Sequence, residues 1–302
     1  MADGKMFTNR CYGIVILRSE NSNWNADFTK YPRRLPDENG TIFATDKSLK
    51  YSVRKYWVDN GQNVFVWRTF RDDGKPRNLE ETYDYWKERF NADNIKEFFN
   101  NFIDVKFFGI TFAVKDNNLS ITGPLQISYG VNRYFVNTPY VVDIGSPFRV
   151  DKEKDNEKKE SSQTTLGNEI KNLKSYYVYD FVLNPRNLPE KITISDDDIR
   201  LMKEALKKSA TYLNSVSKMG TENALLLFVK LKEDSELVLP TMKNIVKIEN
   251  DETLDLSGVA SLLSKYTEGD KSEIEEIEVY YNENITKVKG IPNNWKVSDI
   301  LL

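Results

Sequence analysis

The clearest apolar run near the start of the chain is Tyr12-Gly-Ile-Val-Ile-Leu-Arg18, which predicts a strand buried on both faces. A long polar stretch follows, Ser19 to Thr45, whose asparagines, prolines and Gly40 favour turns and exposed backbone. From Thr45 the pattern changes period. Leu49, Val53, Tyr56 and Trp57 fall at helical spacing, with Thr45 as the expected N-cap and Asp46 in the first turn. Asn78 with Glu81 three residues on predicts a capping box opening a second helix. The run from there to about Asn101 is rich in aromatics, and these are expected in the core.

Val105 to Val114 and Leu119 to Tyr129 read as strands joined at Asp116-Asn117-Asn118. Tyr176 to Leu183 alternates like a further strand. Ser195-Asp-Asp-Asp198 caps a third helix, whose apolar stripe is Ile199, Met202, Leu206, Ala210 and Leu213. Gly220 ends the turn after it, and Ala224 to Leu231 is a strong strand. Beyond Pro240 the pattern weakens, with a short helix at Ser257 to Tyr266 and a strand at Glu275 to Tyr281.

The simplest skeleton is strand, helix, strand, strand, helix, strand: an α+β, ferredoxin-like or RRM-type antiparallel sheet core. Two long insertions interrupt it, at about 19–77 and 130–175. Within the second, Asp151 to Gln163 has no apolar residue and cannot bury itself, which predicts a mobile loop tip or else a linker between domains.

Composition narrows the chemistry. Hydrophobic residues make up 39% and charged residues 29%, as in ordinary globular chains. No apolar run approaches a membrane span, and the first residues lack the apolar core of a signal peptide, so a cytoplasmic protein with no membrane partner is expected. The single cysteine, Cys11, allows no intrachain disulfide and no cysteine-based zinc site. There is no histidine, which removes the Ser-His-Asp and Cys-His nucleophiles and the commonest neutral-pH base. Asp72-Asp73 fits a turn and Asp196-Asp197-Asp198 a helix start, so neither needs a metal. No cofactor, metal or catalytic residue is expected. The net charge of −3 divides as +3 over residues 1–150 and −6 over the remainder. Phosphate binding depends on where cations sit, not on their total.

Four segments, in order, resemble one family. They are Ser22-Asn-Trp-Asn-Ala-Asp27 with Pro32-Arg33-Arg34, Gly40, Thr45-Asp46 and Leu49-Lys50; Val105 to Ala113; Ile121-Thr-Gly-Pro-Leu-Gln-Ile-Ser128; and Leu201 through Ser217-Lys218-Met219-Gly220 into Leu225-Leu226-Leu227. The chain resembles the crRNA-binding backbone subunit of type I CRISPR interference (Cascade) complexes, the Cas seven group, and within it the subtype I-B branch. In that family the first segment usually reads Asn-Pro-Asn-Gly-Asp, then Pro-Arg, then Thr-Asp-Val. Here Trp24, Ala26 and Lys47 stand at the proline, glycine and valine.

The resemblance implies a non-catalytic subunit that grips the crRNA sugar-phosphate backbone, stacks with other copies of itself and with other Cascade subunits, and presents the guide to target DNA. It divides the chain into a palm core at about 10–18, 78–129 and 176–232, a finger-like insertion at about 19–77, a thumb at about 130–175, and a C-terminal extension at 233–302. Such a protein should hold phosphates and sugars while leaving base edges free. Arg33, Arg34, Lys47, Lys50 and Arg54 supply cations, with Lys47, Lys50 and Arg54 on one helix face. Asn23, Asn25, Thr45, Gln126, Ser128 and Ser217 supply neutral hydrogen bonds, with Lys218 and Met219 completing the set. Gly123 and Gly220 would let backbone approach the ligand closely.

The bland readings are a solvated helix face for the cations, turn formation for Asn23, Asn25 and Asp27, an exposed strand face for Gln126, and a helix exit for residues 217–219. Two rival functions remain. One is a metal-dependent RNA-cleaving subunit like that of type III complexes, with Asp27 as the loop aspartate. The other is a free-standing RNA-binding monomer.

Overall fold

The computed structural model describes residues 5–302 apart from 91, 93, 115–116, 152–160 and 270–271. The chain folds around β1 (Cys11–Ser22), whose first seven residues are all buried. β1 lies between β8 (Ser161–Leu183) and β9 (Thr221–Leu231), antiparallel to both. Beyond β8 come β5 (Leu125–Ile127) and β6 (Gly130–Asn132), with β2 (Phe43–Ala44) at the edge. Beyond β9 come β12 (Ile274–Tyr280) and β14 (Lys296–Ser298). β7 (Pro139–Asp151) pairs with the first part of β8 as a two-stranded ribbon. The result is a mixed α and β fold with a largely antiparallel sheet.

Two layers cover this sheet. On one face lie α1 (Asp46–Asp59) and α5 (Asp196–Tyr212). Their stripes, Leu49, Val53 and Trp57 against Ile199, Met202 and Leu206, pack over Cys11, Val15 and Leu17. The buried Ser52 and Ser209 hydroxyls meet between the helices at 3.1 Å. The opposite face carries Tyr12, Ile14 and Ile16, as strand alternation requires. It is sealed by the chain after residue 238, through Leu239, Met242, Val246, Leu254, Leu256, Trp295 and α6 (Ser257–Leu263). This layer also contains a small sheet of β10 (Lys247–Ile248), β11 (Leu254–Asp255) and β13 (Val288–Lys289). The segment with the weakest sequence pattern therefore completes the core.

A third cluster is aromatic. Phe65 sits among Phe98, Phe99, Phe102 and Phe112, mostly edge to face. It gathers α2 (Leu79–Lys87), α3 (Ile95–Phe99), α4 (Ile103–Phe108) and the hairpin of β3 (Gly109–Val114) with β4 (Asn117–Thr122). The capping boxes at Asn78–Glu81 and Ser195–Asp198 are both formed.

The structure corrects three expectations. Val105–Phe108 is helical, because Val105 and Phe107 must face different clusters, and β3 begins only at Gly109. The β3–β4 hairpin forms its own sheet and does not join the central one. Gly123 and Gly220 lack a Cβ for internal reasons. A Cβ on Gly123 would overlap the Phe107–Gly109 backbone, and one on Gly220, at φ +95°, would overlap the Glu20 carbonyl oxygen. Most of the charged segment expected as a loop tip, residues 152–160, and Asp116 of the expected turn lie outside the described residues.

Gly13 is the tightest point of the central strand, where a Cβ would overlap the Phe181 ring and the Leu227 carbonyl. Gly13→Ala is expected to lower stability by about 1–3 kcal/mol, read as a reduced urea midpoint at unchanged slope.

Candidate nucleic-acid interface

At the end of β1 the chain turns sharply, and most polar side chains in the turn are engaged internally. The amide of Asn23 donates from its backbone N–H to the Ser217 carbonyl at 2.7 Å. Its Nδ2 donates to the carbonyls of Lys30 (2.8 Å) and Ile170 (3.0 Å), which fixes the side-chain orientation. Its Oδ1 accepts nothing among the described residues. Trp24 is fully buried and donates from Nε1 to the Tyr179 hydroxyl at 2.8 Å. This explains the family departure at Trp24: the indole anchors the loop to the sheet.

Asn25 Oδ1 accepts from both the backbone N–H (2.8 Å) and hydroxyl (3.1 Å) of Thr45. Thr45 is the N-cap residue of α1, yet its side chain does not cap the helix, because the hydroxyl is turned toward Asn25. Asp27 closes the loop tip. Its Oδ1 accepts from the Thr29 N–H (2.8 Å), the Thr29 hydroxyl (2.6 Å) and the Tyr31 N–H (3.2 Å). Those donors hold its carboxyl below the usual carboxylate range, the Thr29 hydroxyl bond contributing most. The Asp27 oxygen proposed above as a catalytic group is thus occupied in shaping its own turn.

The turn after α5 packs against this loop. Lys218 and Met219 both donate backbone N–H to the Ser215 carbonyl at 2.9 Å. The Lys218 ammonium donates to the carbonyls of Asn23 (2.9 Å) and Trp24, and no carboxylate pairs with it among the described residues. Burial pushes its pKa down to about 8. Ser217, Val216 and Met219 are exposed beside it. Asn23, Lys30, Ile170, Lys171 and Ser217 line a cleft of about 370 Å³. Lys30 and Lys171 were passed over in the sequence, and Lys171 carries no local signal since only the fold brings it here.

The remaining candidates divide by how they are engaged. Lys47 is 83% exposed, near Asp46 at 3.8 Å. Arg33 is half-buried with no hydrogen-bond partner for Nε. Arg34 is turned back on its own loop, donating to the carbonyls of Gly40 (3.3 Å) and Asn137 (3.1 Å). Lys50 pairs with Asp46 at 3.0 Å and lies over the Phe108 ring. Arg54 lies over the same ring and donates to Asp104 Oδ2 at 2.9 Å. Asp104 is fully buried and also accepts the N–H groups of Phe65 and Val66, so Arg54 neutralises an internal charge.

Gln126 and Ser128 lie elsewhere. Gln126 pairs in register with Val182 and Ser128 bonds Asp180, whereas Ile170 borders the Asn23 cleft. The Val182 and Ile170 positions are on the order of 40 Å apart along an extended strand. Gln126 donates to the Gly123 carbonyl at 2.7 Å, and Ser128 is held by Asp180 and Lys243. One group of candidates therefore converges: Asn23, Asn25, Thr45, Ser217, Lys218 and Met219, with Arg33 and Lys47 close in the chain. Gln126 and Ser128 stand apart from it.

Comparison with known proteins places this architecture. The fold is that of a chain in a solved "CRISPR RNA-guided surveillance complex, pre-nicking", with 14% identity, 96% coverage of both chains and a TM-score of 0.53. A chain from another solved "CRISPR RNA-guided surveillance complex" aligns at 14% identity over 94% of this chain and 95% of that one, with a TM-score of 0.48. No curated relative is found. The family model "CRISPR-associated protein Cas7" matches residues 9–272, and the chain belongs to that family.

The two kinds of cation should respond differently to substitution. Asp104→Ala strands Arg54 and the N–H groups of Phe65 and Val66 and is expected to cost about 3–5 kcal/mol in denaturant unfolding. Lys47→Ala should leave stability within about 0.5 kcal/mol.

The buried Lys218 ammonium makes a second, pH-dependent test. Its folded pKa lies below that of the unfolded chain, so between about 8 and the ordinary lysine value the unfolded state binds more protons. Stability is therefore expected to rise with pH through that window. Lys218→Met should reduce the rise in a urea series, leaving the part contributed by Lys243, whose pKa burial also lowers.

Proposed function

We propose that the chain is the crRNA-binding backbone subunit of a type I CRISPR interference complex, without chemistry of its own. The observation that carries this reading is the family match, which runs through every segment that forms the converging polar loops. The order β9-β1-β8-β6, with α1 leaving β1 and α5 joining β8 to β9, supports a ferredoxin-like palm. The insertions at about 19–77 and 130–175 are then finger and thumb, and residues 233–302 are the extension that backs the sheet. On this reading the protein works in the cytoplasm with other copies of itself and the other Cascade subunits, and target DNA meets it through the guide.

The packing supports a particular way of holding RNA. An RRM lays single-stranded RNA across its open sheet face, stacking bases on aromatics. Here that face is buried under the C-terminal layer. A guide would instead run past the ends of the strands, over the 23–34 loop, the start of α1 and the 215–220 turn. Arg33, Lys47 and Lys218 would meet phosphates there, and amides and hydroxyls of Asn23, Asn25, Thr45 and Ser217 would meet sugars. Such contacts are indifferent to base identity, as a carrier of any guide requires. Lys50, Arg54, Gln126, Ser128 and Arg34 would act by supporting this surface, and Met219 as an exposed apolar contact.

The purified protein is expected to carry small RNA and to elute as several copies per guide in size exclusion. Arg33→Ala with Lys47→Ala should weaken guide binding equally for unrelated guide sequences, with the slope of log K against log salt smaller by about 1.4 for the two lost contacts. Unaltered RNA retention in that variant would remove both residues from the interface. Guide-paired RNA incubated with magnesium should stay intact. Cleavage at regular intervals, lost in Asp27→Ala, would instead establish the metal-dependent nuclease.

A further inference from the structure

Phe135 is 66% exposed, yet the loop that carries it is tied down by several internal hydrogen bonds. Asn132, only 4% exposed, sits inside that loop and spends its whole side chain on holding it. Its Nδ2 donates to the carbonyls of Tyr134 (3.2 Å) and Val136 (2.7 Å) and to Asn137 Oδ1 (3.0 Å). Its Oδ1 accepts from the N–H groups of Tyr134 (3.1 Å) and Tyr176 (2.9 Å). Tyr134 points inward, its hydroxyl donating to the Asn250 carbonyl at 3.2 Å, and its ring supports that of Phe135 at 4.5 Å. A large apolar ring kept in water on a loop tied down by these hydrogen bonds is pre-organised for a partner, since less backbone freedom remains to be lost on binding.

The surroundings select the partner. Phe135 borders a cleft of about 1080 Å³ between residues 35–41, 131–138 and 244–248. Arg133 and Lys247 also line it. The Arg133 guanidinium donates to the Asn244 carbonyl at 2.9 Å and its backbone N–H to the Tyr176 carbonyl at 3.0 Å, and neither cation has a carboxylate partner among the described residues. Lys243 lies outside the lining and faces the Asp180 carboxylate, its ammonium donating to the Tyr129 carbonyl at 2.8 Å. Asp37 is the one carboxylate in the lining, and its Oδ1 is taken up by the Thr41 N–H at 2.7 Å. Asn39, Asn137 and Asn244 supply neutral donors and acceptors. The groove offers one presented ring, cations without carboxylate partners among the described residues, and amides. That is the composition that binds single-stranded polynucleotide without reading its sequence.

We infer that this cleft is a second polynucleotide site, in which Phe135 stacks on an unpaired base and Arg133 and Lys247 meet the flanking phosphates. It lies apart from the Asn23 cleft, and Arg34 reaches from the amino-terminal loop to Asn137 at its border. The strand it holds is either a stretch of the guide itself or a separate single strand of DNA, and the two sources share the chemistry.

The test uses the full-length protein with the RNA that co-purifies with it, and a fluorescein-labelled oligothymidylate of twenty residues as probe. Phe135→Ala with Lys247→Glu alters only exposed side chains, so folding should be retained. Binding of the probe, read by anisotropy, is expected to weaken by about tenfold or more in the double variant, in line with the loss of one stacked base. Wild-type probe carrying 4-thiothymidine should crosslink to the peptide containing Phe135. If the probe is unaffected but the variant loses co-purified RNA, the site stands and its strand is the guide. Probe affinity and RNA content both equal to wild type would overturn the inference. A wild-type protein devoid of RNA would count against the proposed function alone, since the probe still reports on this cleft.

Discussion

A strand with apolar side chains on both faces, such as β1, is stable only if both of its faces are covered. The two layers over the central sheet follow from meeting that demand. Helices α1 and α5 cover one side, and the chain after residue 238 returns to cover the other. The consequence is that both faces of the central part of the sheet are closed. The candidate polar groups considered above therefore lie at strand ends, in the loops there, and along the β6–β2 edge.

The loop at the end of β1 shows how such a surface is held without being consumed. Trp24 pins it to Tyr179, Asn23 and Asn25 lock its path, and Asp27 closes its tip. Within this frame Lys218 is half-buried against carbonyl oxygens, with no carboxylate partner among the described residues. A desolvated ammonium without an anion is energetically unfavourable. An arriving phosphate would relieve that penalty, so the same feature that weakens the empty protein would strengthen its complex.

The cations elsewhere make the complementary point. Arg54, Lys50 and Arg34 look like ligands for an anion when counted along the chain, but each is bound inside the protein: Arg54 by buried Asp104, Lys50 by Asp46, Arg34 by carbonyls of its own region. Their removal would disturb the surface by loosening what supports it. Lys47, by contrast, is largely exposed and only loosely paired with Asp46, and Arg33 Nε has no hydrogen-bond partner among the described residues. Loss of RNA in a variant of the first group would therefore report on stability before it reported on contact.

Much of this was legible in the sequence where the signal is local. The apolar run of β1, the helical stripes of α1 and α5, and the capping boxes at Asn78 and Ser195 each depend on residues a few positions apart, and each formed as its pattern implied. What the tertiary structure alone decided are the pairings between distant parts of the chain. Residues 105–108 have strand-forming composition but became helix because Phe107 and Val105 had to reach two different cores. Arg54 found Asp104, Lys218 found the Asn23 carbonyl, and the weakly patterned tail found the bare face of β1. Backbone propensity and amphipathic period are properties of neighbours in sequence, whereas burial and charge compensation are properties of neighbours in space, and only the closed core determines who those are.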